Sequence, residues 1–111
     1  MKLTNQEIIN HLNSIPALAG VEFPVKITYA LKKNHRKLVT EYKDYEAQLD
    51  DLREKYPKLN EDENFNKAVK ELLAIENEID IFMLDESIFE TGDFNVTATQ
   101  LEILEFMIEI N

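Results

Sequence analysis

A stripe of seam residues runs through the first half of the chain at alternating spacings of three and four: Thr28, Leu31, His35, Leu38, Tyr42, Tyr45, Leu49, Leu52 and Tyr56. This is the heptad pattern of a helix packed lengthwise on another helix. No glycine or proline interrupts it, so the spacing predicts one helix over 24–56. Pro24 suits a first helical position, where its missing N–H costs nothing. Pro57 ends the pattern by biasing Tyr56 away from helical geometry. At 1.5 Å per residue such a helix is about 48 Å long, more than one compact core of this size can cover. The chain must fold back along it, or another molecule must.

Phe65, Ala68, Leu72, Ile75 and Ile79 repeat the three-and-four spacing, widened by Val69 and Leu73. They predict a helix over about 62–77, antiparallel to the second half of the long one and joined to it by a turn at Asn60 to Glu63. From Glu78 to Leu84 the period falls to two, with Ile79, Ile81 and Met83 alternating with Asp80 and Phe82. That reads as a short strand or an extended arm. The candidate strand partners are 21–25, Phe89 or 94–96, which makes any sheet small or completed between subunits.

Two capping boxes mark further helix starts. Thr4 with Glu7 opens a short helix carrying Ile8, Ile9 and Leu12 and ending near Asn13 or Ser14. Thr97 with Gln100 opens a last helix over about 98–110. Between the first and the long helix, the apolar connector Ile15 to Phe23 predicts one helical turn closed by Gly20, with Phe23 folding back as a staple. Thr91-Gly92-Asp93 predicts a turn. The last helix carries Leu101, Leu104, Met107 and Ile108 on one side and Ile103, Phe106 and Ile110 on another, more apolar surface than one packed face needs. The expected fold is mainly α: a single domain, 1–111, built as a long helical hairpin with short N- and C-terminal helices and room for one or two short strands.

Composition supports helix. Two glycines and three prolines, with 44% hydrophobic and 31% charged residues, argue against disorder and against a β-sandwich. Residues 1–60 hold ten Lys/Arg against eight Asp/Glu, while residues 61–111 hold two against fourteen, which together give the net charge of -10. Lys26, Lys32, Lys33, Arg36 and Lys37 form a basic block with no acid between Phe23 and Thr40, whereas no Lys or Arg follows Lys70. Opposite halves favour closure of the hairpin, or an acidic face that meets a basic partner. No apolar run approaches a membrane span and the start lacks a signal-peptide core, so no membrane association is expected.

Little in the sequence supports chemistry. Without cysteine there is no thiolate zinc site and no thiol nucleophile. His11 and His35 are the only histidines, and His35 falls on the seam, where a packed or partly exposed structural residue is expected. No HExxH, nucleophile elbow or phosphate-cradling glycine loop occurs. Asp62-Glu63-Asn64-Phe65-Asn66 opens like an EF-hand loop but fails it, because Lys67 replaces the turn glycine and Leu73 the bidentate glutamate. The carboxylates Asp44, Glu46, Asp50, Asp51 and Glu54 read as solvated helix-face residues, with Asp51 to Lys55 a favourable i,i+4 pair. No enzyme activity, cofactor or metal is expected. Direct nucleic-acid binding is disfavoured by the repulsion a chain of this charge meets from a polyanion.

Three stretches carry a resemblance. Met1 to Ile8, then Phe23-Pro24-Val25-Lys26-Ile27 leading through Tyr29 and Leu31 to Lys33-Asn34, and Leu104-Glu105-Phe106-Met107 together resemble a family of small uncharacterised proteins of phages and prophages of Gram-positive bacteria. Residues 57–64 have no counterpart. The resemblance implies a viral or prophage origin, a place in the bacterial host cytoplasm or in the virion, and a role in assembly or host interaction. It brings no catalytic residues. The expected function is a non-enzymatic interaction protein, oligomeric with itself, that presents a helical hairpin to protein partners. Its candidate contact surface is Lys26, Lys32, Lys33, Arg36 and Lys37 with Ile103, Phe106 and Ile110. The alternative is an acidic nucleic-acid mimic that inhibits a host enzyme.

Overall fold

A computed structural model describes residues 1–56, 62–90 and 94–110. Pro57, residues 60 and 61 of the first expected turn and all of Thr91-Gly92-Asp93 lie outside them. The elements are β1 (Lys2–Thr4), α1 (Asn5–Ser14), a 3-10 turn (Ile15–Leu18), α2 (Val25–Lys55), α3 (Glu63–Leu73), β2 (Glu76–Glu78), β3 (Leu84–Asp85), a second 3-10 turn (Glu86–Phe89), α4 (Ala98–Leu104), a third (Glu105–Met107) and β4 (Ile108–Glu109). The fold is mainly α, with a long hairpin, short terminal helices and a few short strands.

Local chemistry sets most of the boundaries. Both capping boxes form, Thr4 with Glu7 and Thr97 with Gln100, each pairing two N–H groups that a helix start leaves free. The first 3-10 turn is followed by Gly20 at φ 81°, a left-handed conformation that a side chain would strain. Pro24 is the N-cap of α2 and Val25 its first residue, one position later than the sequence pattern places it.

The second hairpin helix is shorter than 62–77. It stops at Leu73 because Asn5 takes over its end: the Asn5 side-chain amide donates to the Leu72 carbonyl at 2.7 Å and the Asn5 N–H to the Ile75 carbonyl at 3.0 Å. The Asn77 amide in turn donates to Asn5 Oδ1 at 2.9 Å. Released from the helix, Glu76–Glu78 pairs antiparallel with β1, Leu3 opposite Asn77. The last helix is also shorter than 98–110: α4 ends at Leu104, and Ile108 pairs parallel with Leu84. The partner strands are thus the two ends of the chain, not 21–25, Phe89 or 94–96.

Ile79 to Leu84 is an extended arm whose backbone finds its partners one at a time. The Ile79 N–H donates to the Met1 carbonyl at 2.9 Å, the Lys37 ammonium donates to the Asp80 carbonyl, and Asn34 takes both polar groups of Phe82. Side chains alternate as far as Phe82, with Ile79 and Ile81 buried and Asp80 and Phe82 facing outward; the alternation then breaks, Met83 half-buried and Leu84 buried where β3 begins.

The main core gathers Leu3, Ile8, Ile27, Leu38, Leu104 and Met107 with their neighbours, at the amino-terminal half of α2. The seam there is rotated from the expected one: the buried positions are Ile27, Ala30, Asn34 and Leu38, with Thr28 and Leu31 half-buried and His35 exposed. Farther along, Tyr45, Phe65 and Leu72 are buried within the α2/α3 hairpin, and Tyr56 meets Phe65 edge-on at 6.2 Å. A 31-residue helix is about 46 Å long. The hairpin therefore extends beyond the core, and the molecule measures 54 × 25 × 20 Å.

Candidate protein-contact surface

The site is built by one buried amide. Asn34 lies inside the amino-terminal half of α2, where asparagine is a poor helix former and a buried amide is costly unless paired. Its Nδ2 donates to the Phe82 carbonyl at 2.9 Å and its Oδ1 accepts from the Phe82 N–H at 2.7 Å, so it pairs with the arm as a neighbouring strand would. Its Nδ2 also lies 3.7 Å from the Met107 sulfur. One side chain thereby joins α2, the arm and the chain's last turn.

The clamp fixes the outward side chain of Phe82. Its ring packs edge-on against Tyr29 with centroids 5.7 Å apart, and the Lys33 ammonium lies 5.1 Å from the Phe82 ring and 5.7 Å from that of Tyr29. Both distances fall within cation–π range. Phe82 is 38% exposed, Tyr29 56% and Val25 82%. Together with Lys26, Met83 and Ile88 they line an open groove of about 590 Å³ between the start of α2 and the arm.

The structure divides the expected contact surface. Lys26 and Lys33 flank the aromatic groove, and Lys37 is turned onto the Asp80 backbone. Lys32 and Arg36 line a shallow depression beside it with Tyr29 and His35. Ile103 and Phe106 are packed on the main core, because the short α4 and the turn after it fold onto α1. Only Ile110 of the three apolar candidates stands clear of that core, on a second groove of about 440 Å³ with Leu101, Glu102 and Glu105. The sequence reading missed Asn34, Phe82 and Val25. A polar residue in register with Ala30 and Leu38 was the available signal for the first.

Charge closes the hairpin less than the sequence suggests. The acidic last third docks on the amino-terminal half of α2 through Asn34, Lys37 and apolar contacts. The Met1 ammonium pairs with Glu78 at 2.9 Å, and Arg53 with Asp50 at 3.3 Å on the exposed surface of α2. Lys55 lies over the Tyr56 ring at 5.5 Å.

His11 is a half-buried base stacked on Phe106, ring centroids 4.2 Å apart. Burial holds its pKa below the usual 6.5, with the Glu7 carboxylate opposing the shift. The unfolded chain therefore takes up a proton before the folded one does. Stability is full above about pH 6.5 and falls with pH below it, the loss completed once pH has passed the lower folded pKa. Glu7, held below the carboxylate range by the Thr4 backbone and side chain, contributes stability that is lost only at more acidic pH. Between pH 7.5 and 5.5 His11→Gln is expected to flatten the decline in melting temperature, and an unchanged decline would assign it elsewhere.

Among the described residues no three His, Asp or Glu side chains converge to hold a metal ion, and no helix is long and apolar enough to cross a membrane. Comparisons with protein-family models, curated proteins and solved structures give no match.

Proposed function

We propose that this chain is a non-enzymatic interaction protein of phage or prophage origin, acting in assembly or host interaction. It presents the α2/α3 hairpin and meets a protein partner through the aromatic groove at the hairpin's base. The supporting observation is the pair of exposed rings, Tyr29 and Phe82, held side by side under Lys33 by the Asn34 clamp. Large apolar side chains grouped at a surface are characteristic of contact sites, and aromatic and cationic residues dominate their energetics. A groove fixed before binding also loses little conformational entropy when it is filled. The origin rests on the resemblance at 1–8, 23–34 and 104–107, and with it a place in the host cytoplasm or the virion.

Affinity capture from host or infected cells tests this reading. Tyr29→Ala with Phe82→Ala removes two partly exposed rings and should leave the core intact. It is expected to reduce recovery of the specific partner by about tenfold or more. Equal recovery with wild type and variant would place the contact elsewhere.

The second groove favours one other reading, an acidic mimic that inhibits a host nucleic-acid enzyme. Its apolar floor is edged by Glu90, Glu102 and Glu105, in a region without cations. Salt-dependent binding to such an enzyme, competed by DNA, is the outcome it requires.

A further inference from the structure

We propose that the occupant of the aromatic groove is a second copy of this chain, in a closed twofold dimer where each copy's basic aromatic groove takes the other's acidic apolar strip. The assignment rests on reading the groove as a protein-contact surface and names the partner.

The chain carries both halves of the contact. The first groove exposes Val25, Tyr29 and Phe82 beside Lys26 and Asp85, with the Lys33 ammonium over the two rings at its edge. The second exposes Leu101 at 43% and Ile110 at 72%, beside Glu102 and Glu105. Both expose apolar side chains, and the two ammonium groups at the first outnumber its one carboxylate, whereas the charged residues lining the second are all carboxylates. Burying both together removes apolar surface from water and sets ammonium groups against carboxylates.

Their placement selects the symmetry. The two grooves lie on opposite sides of a single ridge, the 3-10 turn Glu86–Phe89: Ile88 lines the first and Phe89 the second. The Leu84 to Ile108 pairing joins their floors. Complementary patches at opposite ends of a molecule generate rings or open chains, whereas neighbouring ones can be satisfied twice by one two-fold rotation. An axis near the ridge places each copy's first groove on the other's second. Tyr45, where the hairpin's own core begins, is 20 residues beyond Val25, about 30 Å along the helix. Both hairpins therefore project from the dimer, clear of the contact.

Sedimentation equilibrium over a dilution series tests the dimer. The wild-type chain is expected to show a reversible monomer–dimer equilibrium that stops at twice the 13.0 kDa monomer mass. Lys26→Glu with Lys33→Glu makes both grooves acidic, and Glu102→Lys with Glu105→Lys cancels the charge of the second groove, where Glu86 and Glu90 remain. Each variant is expected to raise the dissociation constant about tenfold or more. Mixing the two is expected to restore a species of dimer mass, since the exchanged lysines and glutamates then face one another. That rescue also shows that both variants are folded.

A wild-type chain that stays monomeric at hundreds of micromolar overturns the dimer, as do variants that associate like wild type. Assemblies that keep growing past the dimer overturn the twofold form. A strict monomer whose host partner is still lost on Tyr29→Ala with Phe82→Ala overturns the second copy as occupant while the groove keeps its role. If neither association nor capture depends on these residues, the groove reading fails as well.

Discussion

Asn34→Leu is expected to lower the unfolding free energy by about 2–4 kcal/mol, although leucine is similar in size and a better helix former. The loss arises on the arm. Without the amide, the Phe82 N–H and carbonyl lose partners at 2.7 and 2.9 Å in a part-buried setting. An orphaned buried group costs about 1–3 kcal/mol, and the partial exposure of Phe82 lets water recover some of it. Asn34→Asp separates this cause from simple packing. The carboxylate can still accept from the Phe82 N–H, but it faces the carbonyl without a proton to donate. Burial raises its folded pKa, so the folded variant binds a proton more readily than the unfolded chain, and the variant should regain relative stability as pH falls below that raised value, the gain complete by the unfolded value of about 4. Urea unfolding of both variants at neutral and acidic pH measures this. A loss of less than about 1 kcal/mol for Asn34→Leu would mean that the arm is held without the Asn34 clamp.

Leu104→Ala is expected to cost about 2–5 kcal/mol, and Ile110→Ala less than about 0.5. Leu104 is fully buried in the main core beside Met107. Truncation there loses the burial of three carbons and leaves a cavity among neighbours on α1, α2 and the arm that are already close-packed. Ile110 contributes apolar area to an open groove and lies outside that core. Denaturant midpoints with unchanged slopes separate the two. Equal losses would mean that the last turn packs differently, with Ile110 inside.

These two residues show where the sequence was readable. Helix starts were, because Thr4 with Glu7 and Thr97 with Gln100 satisfy their own backbone within four residues. So were the long helix and the stop at Gly20, which depend on φ preferences and an uninterrupted stripe. The rotation of the α2 seam was not. Thr28, Leu31 and His35 fit a heptad as well as Ile27, Ala30 and Asn34, and a buried asparagine looks like a surface residue until its partner 48 residues away is known. The early end of α3 depends on Asn5, 67 residues upstream of Leu72. The strand partners were hidden because they are the chain's two ends, each only two or three residues long, too short for an alternating pattern.

The contact surface shared this limit. The basic block was visible as composition, but which lysines flank a groove depends on where Phe82 is held. Ile103 and Phe106 looked like surplus apolar surface and instead cover His11 and the core, since α4 ends one turn after Leu101. The surface that remains, Val25, Tyr29 and Phe82 on one side of a ridge and Leu101 and Ile110 on the other, belongs to three segments distant in sequence.

Amide spectra recorded along a dilution series test most directly whether a second copy of the chain meets this ridge. Concentration-dependent shifts are expected at Val25, Tyr29 and Phe82 and, in parallel, at Leu101 and Ile110, with the hairpin from Tyr45 to Lys55 unchanged. Shifts confined to the hairpin, or none at any concentration, would contradict it.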